Sequence, residues 1–137
     1  MNREPNWEDF GRRLHSLEKI VAEEMVEMAE KMGASLAKSL KINQIRRFLD
    51  ALRKIEQEFY QVSMFQNPQG LERIRYNLTM LRPKLAYAAA RDKNVKPLMT
   101  VLEPAIKAAA ANPKDNFEKL LRFMEAIIAY HRYYEGN

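Results

Sequence analysis

Apolar residues recur through most of this chain at steps of three and four, the spacing of one helical face. Leu14, Leu17, Val21, Met25, Met28, Met32 and Leu36 carry the first such row. They predict one long amphipathic helix from about Trp7 to about Leu40, with Gly33 as its weak point for bending or breaking. Glu23, Glu27 and Glu30 form an acidic row on the opposite side, read as a solvated face because no His accompanies them. Asn43 is a candidate N-cap for the next helix. There Ile45, Phe48, Leu49, Leu52, Ile55 and Phe59 make an apolar stripe, and Arg46, Arg47, Arg53 and Lys54 fall on the other side around Asp50. Gln66-Asn67-Pro68-Gln69-Gly70 reads as a turn, followed by a helix from about Leu71 to Leu81 with Ile74, Leu78 and Leu81 inward.

Pro83 suits the first position of a helix, where φ is already right and the missing N–H would have no partner. A helix is therefore expected to end near Leu81 and another to run from Pro83 to about Arg91. Lys84, Tyr87, Ala88 and Arg91 share one of its faces, placing two cations beside a ring. A further helix is expected over about Pro97–Ala111, kinked at Pro104. The last begins at either Asn112 or Asp115, since each offers a cap with an acidic residue three places on. It buries Phe117, Leu120, Leu121, Met124, Ile127 and Ile128, and His131 at the i+3 step is expected at the core edge. No strand pattern competes. The fold class is all-α, a compact bundle of about five to six helices in a single domain.

Composition narrows the chemistry. The 137 residues contain no cysteine, which removes disulfides, thiolate metal sites and cysteine nucleophiles together. There is no glycine-rich phosphate loop, no Gly-x-Ser-x-Gly and no His-Glu-x-x-His. No catalytic, metal or cofactor site and no small-molecule substrate is expected, so the reading is not an enzyme. The opening residues Met1-Asn2-Arg3-Glu4-Pro5 run into charged sequence rather than an apolar signal, and no apolar run is long enough to span a membrane. The expected compartment is the cytoplasm. Charge is uneven: residues 1–40 hold six Lys/Arg against eight Asp/Glu, and the rest hold 17 against 10. A polyanion would thus meet the later helices.

Three segments then carry a family resemblance. They are Asn43-Gln44-Ile45-Arg46-Arg47-Phe48, Leu81-Arg82-Pro83-Lys84-Leu85-Ala86-Tyr87-Ala88-Ala89-Ala90-Arg91, and Phe123-Met124-Glu125-Ala126-Ile127-Ile128-Ala129-Tyr130-His131-Arg132-Tyr133. In order and spacing they resemble the small subunit of the type III-A CRISPR effector, the Csm complex, over roughly residues 42–134. The first forty residues lie outside these motifs and are read as an extension or added helix. The resemblance implies a non-catalytic helical subunit of an RNA-guided antiviral complex. Copies would stack along a filament beside the other Csm subunits and the crRNA-containing complex, and would line the path of the target RNA. It also implies RNA contact at Arg46, Arg47, Lys84 and Arg91, with Arg82 alongside. Arg53 and Lys54 join them from the helical wheel alone. Tyr130, Tyr133 and Tyr134 are read as core or subunit-packing residues, and self-association as a dimer or filament is expected. The competing reading is a helical adaptor that acts through protein–protein contacts without RNA.

Overall fold

The computed structural model describes residues 4–65 and 68–135, with backbone only at 63–65. Among the described residues every regular element is helical: α1 (Trp7–Leu14), α2 (Ala22–Ala37), α3 (Ile42–Phe65), α4 (Pro68–Thr79), α5 (Leu81–Arg91), α6 (Lys96–Ala111) and α7 (Pro113–Glu135). Short 3₁₀ turns lie at Leu17–Lys19 and Lys93–Val95.

α7 is the central element. At 100° per residue, its buried positions from Phe117 to His131 cover an arc of about 160°, wider than one packing partner needs. α2, α3 and α6 pack on that arc, while α1 and α5 lie on α6, and α4 lies on α3 and α6. Phe117 meets Phe59 of α3 with ring centroids 5.0 Å apart. Buried apolar side chains from all seven helices join one cluster.

The predicted single helix from Trp7 to Leu40 is instead two helices at a break, which adds a helix to the expected bundle. Ile20 and Val21 are extended there. One side chain of α7 gathers the carbonyls at the break: Lys119 Nζ donates to Glu18 O (2.9 Å), Ile20 O (3.0 Å) and Leu17 O (3.3 Å), the last of which also accepts from the Ile20 N–H (3.1 Å). Gly33, by contrast, sits inside an unbroken α2.

Other boundaries move by a few residues. Asn43 lies within α3, whose cap is Lys41: its N–H donates to Gln44 Oε1 at 2.9 Å, the back-reaching half of a capping box. Pro83 is the third residue of α5, not the first, which costs nothing because all of the first four helical N–H groups lack intrahelical partners. Pro68 opens α4, so Gln69 and Gly70 are helical; Gln66 and Asn67 of the expected turn lie outside the described residues. Asn112, not Asp115, caps α7, accepting from Asp115 N–H at 3.4 Å. α6 continues through Pro104 to Ala111. The Thr100 carbonyl, four residues before that proline and so without its N–H donor, faces Gly11 of α1, where an added Cβ would lie 2.7 Å away.

Candidate nucleic-acid interface

The basic side of α3 consists of two rows. Arg47 and Lys54 are seven residues apart and about 20° apart around the helix; Arg46 and Arg53 form a second row about 100° away. Asp50 lies between the rows. The Arg47/Lys54 row borders a groove whose other wall is α5. Ala51, one turn from each cation, is small enough to open the groove down to Phe48.

α5 contributes Lys84, Tyr87 and Arg91 to the opposite wall. Its buried side, Leu81 and Leu85, holds it on the core, which turns Lys84, Tyr87 and Arg91 outward. The groove comprises two adjoining hollows. The larger, about 570 Å³, lies among Lys54, Met80, Pro83 and Lys84. The smaller, about 350 Å³, lies among Gln44, Arg91 and Asp92. Arg47 and Tyr87 border both, so a cation of one helix and a ring of the other define the waist. The Arg91 guanidinium stands 5.8 Å from the Tyr87 ring centroid, with Nη1 3.5 Å from the hydroxyl.

One hydrogen bond joins the two walls at the narrow end. Gln44 Nε2 donates to Asp92 Oδ2 at 2.9 Å, and Asp92 Oδ1 also accepts from the Asn94 N–H at 2.9 Å. These bonds, that from Gln44 foremost, hold the Asp92 carboxyl below its ordinary range, so it is ionised at neutral pH. Four groove cations thus face a single carboxylate whose oxygens are already engaged.

Ion pairing divides the arginines into two groups. Among the described residues Arg12, Arg13, Arg53, Arg73, Arg75, Arg82 and Arg122 each pair with a carboxylate. Arg46, Arg47, Arg91 and Arg132 do not. Arg53 reaches Glu125 of α7 (3.4 Å). It belongs to an exposed network in which Arg122 bonds Glu125 and Glu118 (2.9 Å each) and the Tyr60 hydroxyl donates to Glu118 (3.3 Å). Desolvation first, then Glu118, raises the Tyr60 pKa. Arg82 lies 3.8 Å from Glu103 of α6. Of the seven cations singled out from sequence, the fold therefore gathers Arg47, Lys54, Lys84 and Arg91. It leaves Arg46 exposed on the neighbouring row and sets Arg53 and Arg82 in ion pairs. Sequence reading missed the apolar floor of the groove and the Gln44–Asp92 bond; Ala51 between two cations one turn away was the available signal for the floor.

Elsewhere, the Glu23 and Glu27 carboxylates of α2 are exposed. No three His, Asp or Glu side chains among the described residues converge as a metal site would require. His131 is hydrogen-bonded as expected, its Nε2 2.7 Å from the Leu40 carbonyl oxygen, but it lies fully buried in the core rather than at its edge, with Nδ1 unpartnered. No helix among the described residues is long and apolar enough to cross a membrane.

Residues 19–137 match the model of the Csm2 Type III-A family, which takes in α2 through α7 and both walls of the groove and leaves out α1. No curated protein and no solved structure matches the chain. A family match over this much of the chain decides the assignment: it belongs to the Csm2 family, the small structural subunits of type III-A CRISPR complexes.

Proposed function

We propose that this subunit holds a strand of target RNA along the α3–α5 groove of an assembled, RNA-guided complex that serves cytoplasmic antiviral defence. Arg47, Lys54, Lys84 and Arg91 neutralise successive phosphates without reading sequence, a task that guide–target pairing performs. The observation that carries this reading is the convergence of two unpaired arginines and two lysines on one groove, in a chain whose other arginines mostly pair with carboxylates. An arginine already in an ion pair must lose that partner to meet a phosphate; Arg47 and Arg91 have none to lose.

One subunit touching a few nucleotides binds weakly, and copies stacked along a filament raise avidity without new contacts. Counterion release makes the binding salt-dependent, with a slope of about −0.7 per phosphate, or about −2.8 for four.

The test is fluorescence anisotropy of a single-stranded RNA of about 40 nucleotides at several salt concentrations. The wild type is compared with an Arg47→Gln/Lys54→Gln/Lys84→Gln/Arg91→Gln variant and with an Arg53→Gln/Arg82→Gln variant. The proposal expects loss of affinity and a flattened salt slope in the first and near-wild-type binding in the second. Equal weak binding by all three, with complex assembly lost instead, would establish the adaptor reading.

A further inference from the structure

A surface that only tracks phosphates needs cations and water. The larger hollow of the groove has something else at its base. Phe48, Ala51 and Leu81 form an apolar floor, and Met80 and Tyr87, 42% and 64% exposed, stand beside it with their apolar surfaces in solvent. These floor side chains carry no hydrogen-bonding group. Arg47, Lys54 and Lys84 surround them at the rim.

We propose that this hollow is a nucleobase subsite, which takes one unpaired base of the bound strand against the Tyr87 ring while the rim cations hold the phosphates on either side. The inference rests on the reading of the groove as an RNA surface and goes beyond it, since phosphate neutralisation alone requires no base to leave the stack. Charge complementarity selects the occupant: a ring of cations around an apolar floor fits a flat, neutral base attached to anions. It fits poorly an apolar protein side chain, which would bring no charge to the rim.

Size agrees, because about 570 Å³ lies within the range of roughly 300–1,000 Å³ typical of small-ligand pockets. The ring is also placed for the task. Arg91 stands over Tyr87 at 5.8 Å from its centroid, so a guanidinium and an exposed aromatic face are presented together. Met80 is unbranched and polarisable and adapts to rings of different shape. Without donors or acceptors in the floor, the subsite tolerates any base and favours those that stack best. A base still paired to a guide cannot enter it.

The experiment compares two single-stranded RNA dodecamers with the same number of phosphates, one of adenosines and one wholly abasic, bound to the full chain at low salt. Stacking of one base on an aromatic ring is worth about 5- to 150-fold in affinity. Wild type should therefore bind the adenosine strand tighter than the abasic strand by a factor in that range. Tyr87→Ala should lose the preference, weakening binding of the adenosine strand more than that of the abasic strand, on which only the loss of its contact with Arg91 acts, and Tyr87→Trp should keep it. Tyr87 is exposed, so the fold tolerates both changes. Equal affinity of wild type for the two strands would overturn the base subsite and leave the phosphate groove standing. A Tyr87→Ala loss of equal size on both strands would also overturn it. Absence of binding to either strand would remove the RNA reading itself.

Discussion

Gly33 of α2 lies against the backbone of His131 in α7: a Cβ built on the glycine would fall 2.7 Å from the His131 nitrogen. The same Cβ would sit 2.7 Å from the Ile127 oxygen and from Tyr130 Cβ. The absent side chain lets two helices touch backbone to backbone, and the contact fixes how α2 meets the central helix. Next to it, His131 binds the Leu40 carbonyl and so anchors the turn that leads into α3.

Gly33→Ala should therefore destabilise the fold, although alanine is the better helix former by about 1 kcal/mol. Two of the three crowded atoms are backbone and cannot rotate away. Overpacking of this kind costs about 1–3 kcal/mol or more, which outweighs the helical gain. A lowered urea midpoint with an unchanged slope checks it; a raised midpoint would mean that α2 slides freely on α7.

Lys119→Met keeps the aliphatic stem and removes the ammonium that serves the carbonyls of Leu17, Glu18 and Ile20. Leu17 O keeps the Ile20 N–H and Glu18 O is open to water, so the cost falls mainly on the part-buried Ile20 carbonyl; an acceptor left without a donor there costs about 1–3 kcal/mol. Hydrogen exchange should show the loss concentrated in residues 17–21, at the α1–α2 junction, with α3 and α5 little changed. Uniform loss across the chain would contradict a local role.

That lysine also explains why the apolar spacing predicts one helix where the structure has two. Nothing between Leu14 and Ala22 breaks a helix by composition, and the apolar steps run straight through. The break is sustained by a donor about a hundred positions away, which no local pattern reveals. The same holds for Gly33: its role is a close approach to a distant helix, not local weakness. The stripes of α3 and α7 were legible because amphipathic helices state their buried face in their own spacing. The site was half legible. Periodicity named the outward cations, yet only the tertiary fold decides that Arg47 meets α5 while Arg53, on the same helix, meets Glu125 of α7.

Asp92→Asn tests the bond that closes the narrow end of the groove. The amide offers one acceptor where the carboxylate offers two, so either Gln44 or Asn94 loses its partner. The folded Asp92 pKa is lowered, chiefly by Gln44. Its stabilisation is therefore full above the unfolded value of about 3.9 and is lost as pH falls through the lower folded value. Wild type should be more stable than the variant at neutral pH, with the difference shrinking below about pH 4 in paired urea titrations. A constant difference across that range would show that ionisation of Asp92 does not contribute.

The two rows on α3 give the sharpest prediction for the groove. Arg46 and Arg47 are adjacent in sequence, unpaired and equally cationic, and they differ only in direction. If the strand lies between α3 and α5, Arg47→Glu places a carboxylate on the phosphate path, whereas Arg46→Glu acts from the side through a screened field. At 0.1 M salt that field decays over about 10 Å, and over about 3 Å at 1 M. Arg47→Glu should thus weaken RNA binding more at every salt concentration. The smaller effect of Arg46→Glu should fade as salt is raised. Neither variant should lose more than about 0.5 kcal/mol of stability, since neither arginine has a partner to abandon. Arg53→Ala should do the reverse, giving up as much as about 1 kcal/mol with its Glu125 pair while leaving RNA affinity unchanged. Anisotropy and urea midpoints on the three variants decide it. Equal losses for Arg46→Glu and Arg47→Glu would place the strand across the outer face of α3 rather than in the groove.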